Sequence, residues 1–141
     1  MINFGRHGSA SVFALAILLT MLPVRAQPIA ASPLEARKND AAGVQVVVTP
    51  KSLDASATSW DFEVVLDTHT KPLSDDMVRA GELIADGRSY APIGWEGDQP
   101  GGHHRKGFLR FPRPVETPKI VEVRVNGIGG VAIRSFRWKF R

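Results

Sequence analysis

From Val44 onward the chain alternates apolar and polar residues with a period of two, the spacing at which successive side chains of a strand point to opposite faces. Val44, Val46 and Val48 alternate with Gln45 and Thr49, and Pro50 ends the run. Trp60, Phe62, Val64 and Leu66 alternate with Asp61, Glu63 and Asp67 and give the clearest signal of this kind. Glu82 to Asp86 and Ser89 to Trp95 flank Asp86-Gly87-Arg88, and Asp-Gly is a hairpin signal because a tight turn there needs positive φ. Lys106 to Phe111 is a short run closed by Pro112 and Pro114. Lys119 to Asn126 alternates Val121, Val123 and Val125 with Glu122 and Arg124. After the turn Gly127 to Gly130, Val131 to Phe140 alternates Phe136, Trp138 and Phe140 with Arg137 and Lys139, so those basic residues read as a solvent face. One segment reads as helical: Ser74 as a cap before Asp75-Asp76-Met77, limited to a single turn by Gly81.

About seven short strands, with turn signals every eight to twelve residues or so, predict an all-β fold. The expected architecture is an antiparallel β-sandwich, immunoglobulin-like, with a small barrel as the alternative. Trp60, Phe62, Val64 and Leu66 are expected to face the core with Val121, Val123, Val125 and Trp138. The chain has no Cys. Without the inter-sheet disulfide of antibody domains, Trp60 or Trp95 must help fill that core.

Residues 1–26 carry a different pattern. Arg6 precedes the uncharged apolar run Val12 to Leu22, and Val24-Arg25-Ala26 places small residues where a signal peptidase reads. The run falls short of the roughly 20 apolar residues needed to span a bilayer. The sequence therefore predicts a cleaved signal peptide over 1–26, a periplasmic or secreted destination, and no membrane span afterwards. Residues 27–43 are small, polar and Pro-containing and read as a flexible leader, so the β-sandwich domain is assigned to residues 44–141. Arg6 and Arg25 leave with the signal, so 16 basic residues face 14 acidic ones in the remaining chain. That surplus gives no reason to expect nucleic acid. The lack of Cys also excludes thiol catalysis, Cys-based zinc sites and blue copper.

Two segments are richer in chemistry than turns require: Leu66 to Met77, and Trp95 to Gly107. Between them they hold His69, His103 and His104, with Asp67, Glu96, Asp98 and Arg105. Connections in an antiparallel sandwich alternate between two poles. The connections after Leu66 and after Trp95 are the second and fourth, so they share a pole with the Gly127–Gly130 turn. His69, Glu96, Asp98, His103 and His104 are thereby expected to converge. Asp67 and His69, two apart on a strand, are expected to share a face. In a Cys-free protein, imidazole with carboxylate suits a divalent transition metal such as copper or zinc. The candidate ligands are His69, His103, His104, Asp67 and Glu96. The other reading is structural: Asp67 or Glu96 accepts hydrogen bonds from a histidine or from Arg105, tying the loops together with Trp95 and Asp98 beside them. Gly101 and Gly102 then supply positive φ. Neither paired carboxylates nor a Ser-His-Asp spacing is present, so no enzymatic role is expected.

The strings Asp67-Thr68-His69, Trp95 to Arg105 and Gly127 to Gly130 sit in a pattern running from Val48 to Trp138. That pattern resembles a group of small exported bacterial and archaeal proteins of uncharacterised activity. The resemblance covers nearly all of the expected domain and implies no reaction. Asp67-Thr68-His69 also has the Asp-x-His spacing of the CopC-type periplasmic copper carriers, which the Gly102-His103 to Gly107 stretch resembles more loosely. That likeness implies a Cys-free sandwich and copper. The chain departs from that family in starting its expected mature form at Gln27 rather than His, and in placing Gly102 rather than Asp before His103.

The sequence thus leads to two expectations. One is an exported, non-catalytic β-sandwich binding module with a copper or zinc site in the histidine–acid loop pair. The other is a metal-free interaction domain that docks on another envelope protein, with the loops serving as a structural tie. The signal reading has a direct check. N-terminal sequencing of the exported protein is expected to begin at Gln27, free or cyclised, and recovery of intact Met1 in the membrane fraction would count against it.

Overall fold

A computed structural model describes residues 34–140 of the chain. The expected signal peptide, residues 1–26, and the first part of the expected leader, residues 27–33, lie outside the described residues. Among the described residues there are nine strands: β1 (Arg37–Ala41), β2 (Val44–Ser52), β3 (Ser59–Thr68), β4 (Gly81–Ala85), β5 (Arg88–Tyr90), β6 (Gly94–Gly97), β7 (His104–Pro112), β8 (Ile120–Asn126) and β9 (Ile133–Lys139). A single helical turn, α1 (Met77–Ala80), precedes β4.

All pairings are antiparallel and form two sheets, β1-β2-β3-β7-β6 and β5-β4-β8-β9. Apart from β1, the first sheet has the A-B-E-D order of an immunoglobulin domain. The second has its C-F-G order, with β5 beside β4 where C′ lies. The expected immunoglobulin-like sandwich is therefore the fold, with nine strands in place of about seven.

The two additional strands come from features that alternation does not register. The expected leader contains β1, which pairs with β2 from Arg37↔Val48 to Ala41↔Val44. Its turn is Ala42-Gly43, both at positive φ (51° and 76°). Arg37-Lys38-Asn39-Asp40-Ala41 has no apolar alternation, because this edge strand buries little. The run Ser89 to Trp95 is two strands in different sheets. Pro92 lies between them, where it cannot donate to a ladder. The chain crosses from one sheet to the other there without reversing direction, so the alternation of poles survives. β7 begins at His104, earlier than Lys106, and the cap of α1 is Asp76, not Ser74. Asp76 Oδ1 accepts the Val78 and Arg79 N–H groups at 2.9 and 3.3 Å.

The core forms as the period-two pattern requires. Trp60, Phe62, Val64 and Leu66 of β3, Val121, Val123 and Val125 of β8 and Trp138 of β9 are all buried. Phe62 sits at the centre, edge-on to Phe111 and tilted against Trp138, each at 5.8 Å between ring centroids. Trp60 and Trp138 are buried in the core, while Trp95 lies on the edge strand β6 and is only partly buried. The indole N–H of Trp138 is satisfied by the Glu35 carbonyl at 2.7 Å.

One carboxylate is buried on the outer face of the second sheet. Glu122 is 5% exposed because Arg124 and Arg137 fold over it, with Nε and Nη2 both 2.6 Å from its oxygens, and Ser135 Oγ donates to it at 3.0 Å. Burial alone would raise its pKa. The hydrogen bonds from Arg137, Arg124 and Ser135 outweigh that and hold it at about 2, against an ordinary 4.5. A carboxyl depressed on folding stabilises the fold above its unfolded pKa, and that contribution disappears as pH falls through its folded pKa. In urea unfolding, Glu122→Gln is expected to be less stable than wild type by on the order of 2–3 kcal/mol near neutral pH. The gap should narrow from pH 4.5 to about 2. A gap that does not change with pH would show that charge is not what the mutation removes.

Candidate functional site

Four connections meet at one pole: the β1–β2 turn, the Thr68–Asp76 connection, the loop between β6 and β7, and the turn after β8. Backbone and short side-chain bonds lock them. Thr68 N–H donates to the His103 carbonyl at 2.9 Å, Leu73 N–H to Gly102 at 3.0 Å, and Gly101 N–H back to Leu73 at 2.9 Å. Thr68 Oγ1 donates to the Gly43 carbonyl at 2.7 Å, and Lys71 Nζ to the Gly129 carbonyl at 2.9 Å. Gly101 and Gly102 have φ of 118° and 68°, which lets the loop turn back so its amides face Leu73. The expected meeting of the Asp67–Met77 and Trp95–Lys106 segments is therefore present.

The expected convergence of ligand side chains is not. Asp67 and His104 face each other across β3 and β7, with Nδ1 2.5 Å from Oδ1, and are 47% and 60% exposed. β3 ends at Thr68, so His69 lies beyond the strand, exposed, and does not share the Asp67 face as a strand neighbour. His103 is exposed and contributes its carbonyl. Glu96 pairs with Phe108, four residues along β7 from His104 and so roughly 13 Å away. Its carboxylate lies 3.7 Å from Arg110. Asp98 Oδ2 accepts the Lys106 N–H at 2.8 Å. Among the described residues no three His, Asp or Glu side chains are placed to hold one metal ion. The period-two argument located the strands but not their last residues, and β3 stops one residue short of His69.

Arg105 is the centre of the pole, and its partners differ from those expected. It is 1% exposed, on the inward side of β7 in register with Leu109 and Phe111. Its guanidinium bonds carbonyls, not Asp67 or Glu96: Nη1 donates to Leu73 at 3.0 Å and Asp75 at 2.7 Å, and Nη2 to Asp98 at 3.4 Å. Trp95 lies over it, 5.5 Å from ring centroid to Cζ, and gives its indole N–H to the same Asp98 carbonyl at 3.1 Å. Gly107 makes this possible, since a Cβ there would stand 2.5 Å from Trp95 Cζ2.

A second arginine at this pole went unread in the sequence. Arg134, also 1% exposed, donates to Asn39 Oδ1 at 2.6 Å and to the carbonyls of Ala41, Val44 and Ile128 at 2.9–3.4 Å. The signal was its parity, because Arg134 falls on the apolar side of the alternation with Phe136 and Trp138.

Fold and pole together define an immunoglobulin-like sandwich whose loops are fixed from beneath by two buried guanidinium groups. No family model matches the chain, and neither does any curated protein or solved structure.

Removing the Arg105 fork leaves carbonyls without donors, and an ammonium cannot replace its geometry. Arg105→Lys and Arg105→Met are both expected to lose on the order of 2–4 kcal/mol. In hydrogen exchange the Leu73 and Gly101 amides should lose protection before the β3 and β8 amides do. Uniform loss across the sandwich would mean that Arg105 supports the whole core and not the pole.

Proposed function

We propose that this chain is an exported, non-catalytic β-sandwich binding module, periplasmic or secreted, that presents the loop pole to a partner and needs no metal to shape it. The observation behind this reading is the guanidinium fork of Arg105. It fixes the Leu73–Asp75 and Asp98 segments from below, beneath an exposed His69, an exposed His103 and the exposed Asp67–His104 pair. A rigid pole of this kind loses little loop entropy on binding. Docking on another envelope protein is the use this suits best.

A metal-binding role has one supporting feature, the Asp67–His104 pair, which offers two donors where zinc or copper takes three or four. Calorimetric titration of copper and zinc into untagged protein separates the readings. No binding tighter than the millimolar range is expected, and His104→Ala should lower Tm by about 1–4 °C, as an exposed pair would. Micromolar binding that His104→Ala abolishes would reinstate the metal.

A further inference from the structure

Among the described residues two buried side-chain polar atoms have no hydrogen-bond partner, Arg105 Nε and Asn126 Oδ1. Each belongs to a depression against α1. The one with Arg105 is a cleft of about 270 Å³, with Ser74, Met77 and Val78 on one side and Trp95 and Pro100 on the other.

The chain contains its own standard of comparison. Arg110, also on β7, holds Asp61 with Nε at 2.8 Å and Nη2 at 3.1 Å, the side-on pairing in which both N–H groups of one edge meet both carboxylate oxygens. Arg105 has the same edge without the carboxylate. Its Nε has no acceptor, and its Nη2 has only the Asp98 carbonyl at 3.4 Å. The firm bonds, to Leu73 and Asp75, are both on Nη1. Nearby carboxylates do not fill the gap. Asp76 caps α1 through Oδ1, and Asp98 Oδ2 is turned to the Lys106 N–H. Buried cations are normally paired, and here the acceptors are neutral carbonyls. The apolar residues that line the cleft with Arg105 are Trp95, Met77, Val78 and Pro100.

The geometry points to a binding site for a carboxylate on a small apolar body, taken side-on by the Nε/Nη2 edge of Arg105 beside the Trp95 indole. It deepens the binding-module reading and rests on it. The cleft is smaller than pockets for drug-sized ligands, which begin near 300 Å³ or so, and suits one ring with its acid group. Arg105 Nε is buried in the closed form, so entry requires the exposed Gln99-Pro100 turn to lift and the Asp98 carbonyl to release both Nη2 and the Trp95 indole N–H, at 3.4 and 3.1 Å. A free aryl-alkyl acid and the C-terminal carboxylate of a peptide ending in an apolar residue have this chemistry in common.

The test is titration of the whole exported chain, labelled with ¹⁵N, observing the Trp95 indole N–H and Arg105 Nε–H resonances. The probes are 3-phenylpropionate and its amide, and acetyl-Ala-Phe as free acid and as amide. At least one acid is expected to shift both resonances saturably in the millimolar range or tighter, with its amide about tenfold weaker or more. Which acid binds better identifies the source. Val78 is 36% exposed at the cleft wall. Val78→Glu should therefore fold normally and weaken the acids about tenfold by like-charge repulsion while leaving the amides unchanged. No saturable shift by either acid, or equal affinity of acid and amide, overturns the site and leaves a water on Nε. That result would not touch the binding-module reading, which stands or falls on the metal titration and on docking by the pole.

Discussion

The pole depends on a buried guanidinium whose acceptors are carbonyls. An arginine paired to a carboxylate fixes two side chains to each other. An arginine bonded to main-chain oxygens fixes the path of the chain itself, and its five donors in a rigid plane let it do so for several segments at once. Arg105 joins the segment after β3 to the loop after β6. Arg134 joins the β1–β2 hairpin to the turn after β8. Each replaces hydration that burial has taken from those carbonyls. A Cys-free domain of this size thus holds its loops without a cross-link.

The glycines belong to the same arrangement. Gly97 and Gly107 stand opposite each other on β6 and β7, and a Cβ on Gly97 would meet Gly107 Cα at 2.4 Å. This close approach, with no side chain on Gly107, leaves room for the Trp95 indole over the guanidinium. The site proposed for a carboxylate and the tie that holds the loops share one side chain: Nη1 carries the firm bonds to the scaffold, and Nε carries none.

Much of this was legible in the sequence, and what was not has identifiable causes. The alternation in Trp60 to Leu66 and in Val121 to Val125 fixed which residues fill the core, because burial on one face of a strand imposes it. The shared pole followed from counting reversals, and it survived two unrecognised strands because β5 and β6 run in the same direction. β1 was invisible because an edge strand need bury nothing. The expected convergence of ligand side chains is absent among the described residues. β3 ends at Thr68, one residue before His69, and His104 pairs with Asp67 across the sheet, neither of which spacing alone reveals. The buried arginines were visible as charges on the apolar parity, Arg105 with Leu109 and Arg134 with Phe136. Charge normally outweighs parity in such a reading, and here parity was right.

The bond from Arg134 to Asn39 spans 95 positions, and that from Trp138 to Glu35 spans 103. The first strand is therefore held by the last. A nascent chain leaving the ribosome can pair β2 with β3 early, yet it cannot seal the sandwich until β9 has emerged. Such late closure leaves the strands of this domain without a native core for most of their synthesis. The contacts that close it are those of β9 with the segment around β1.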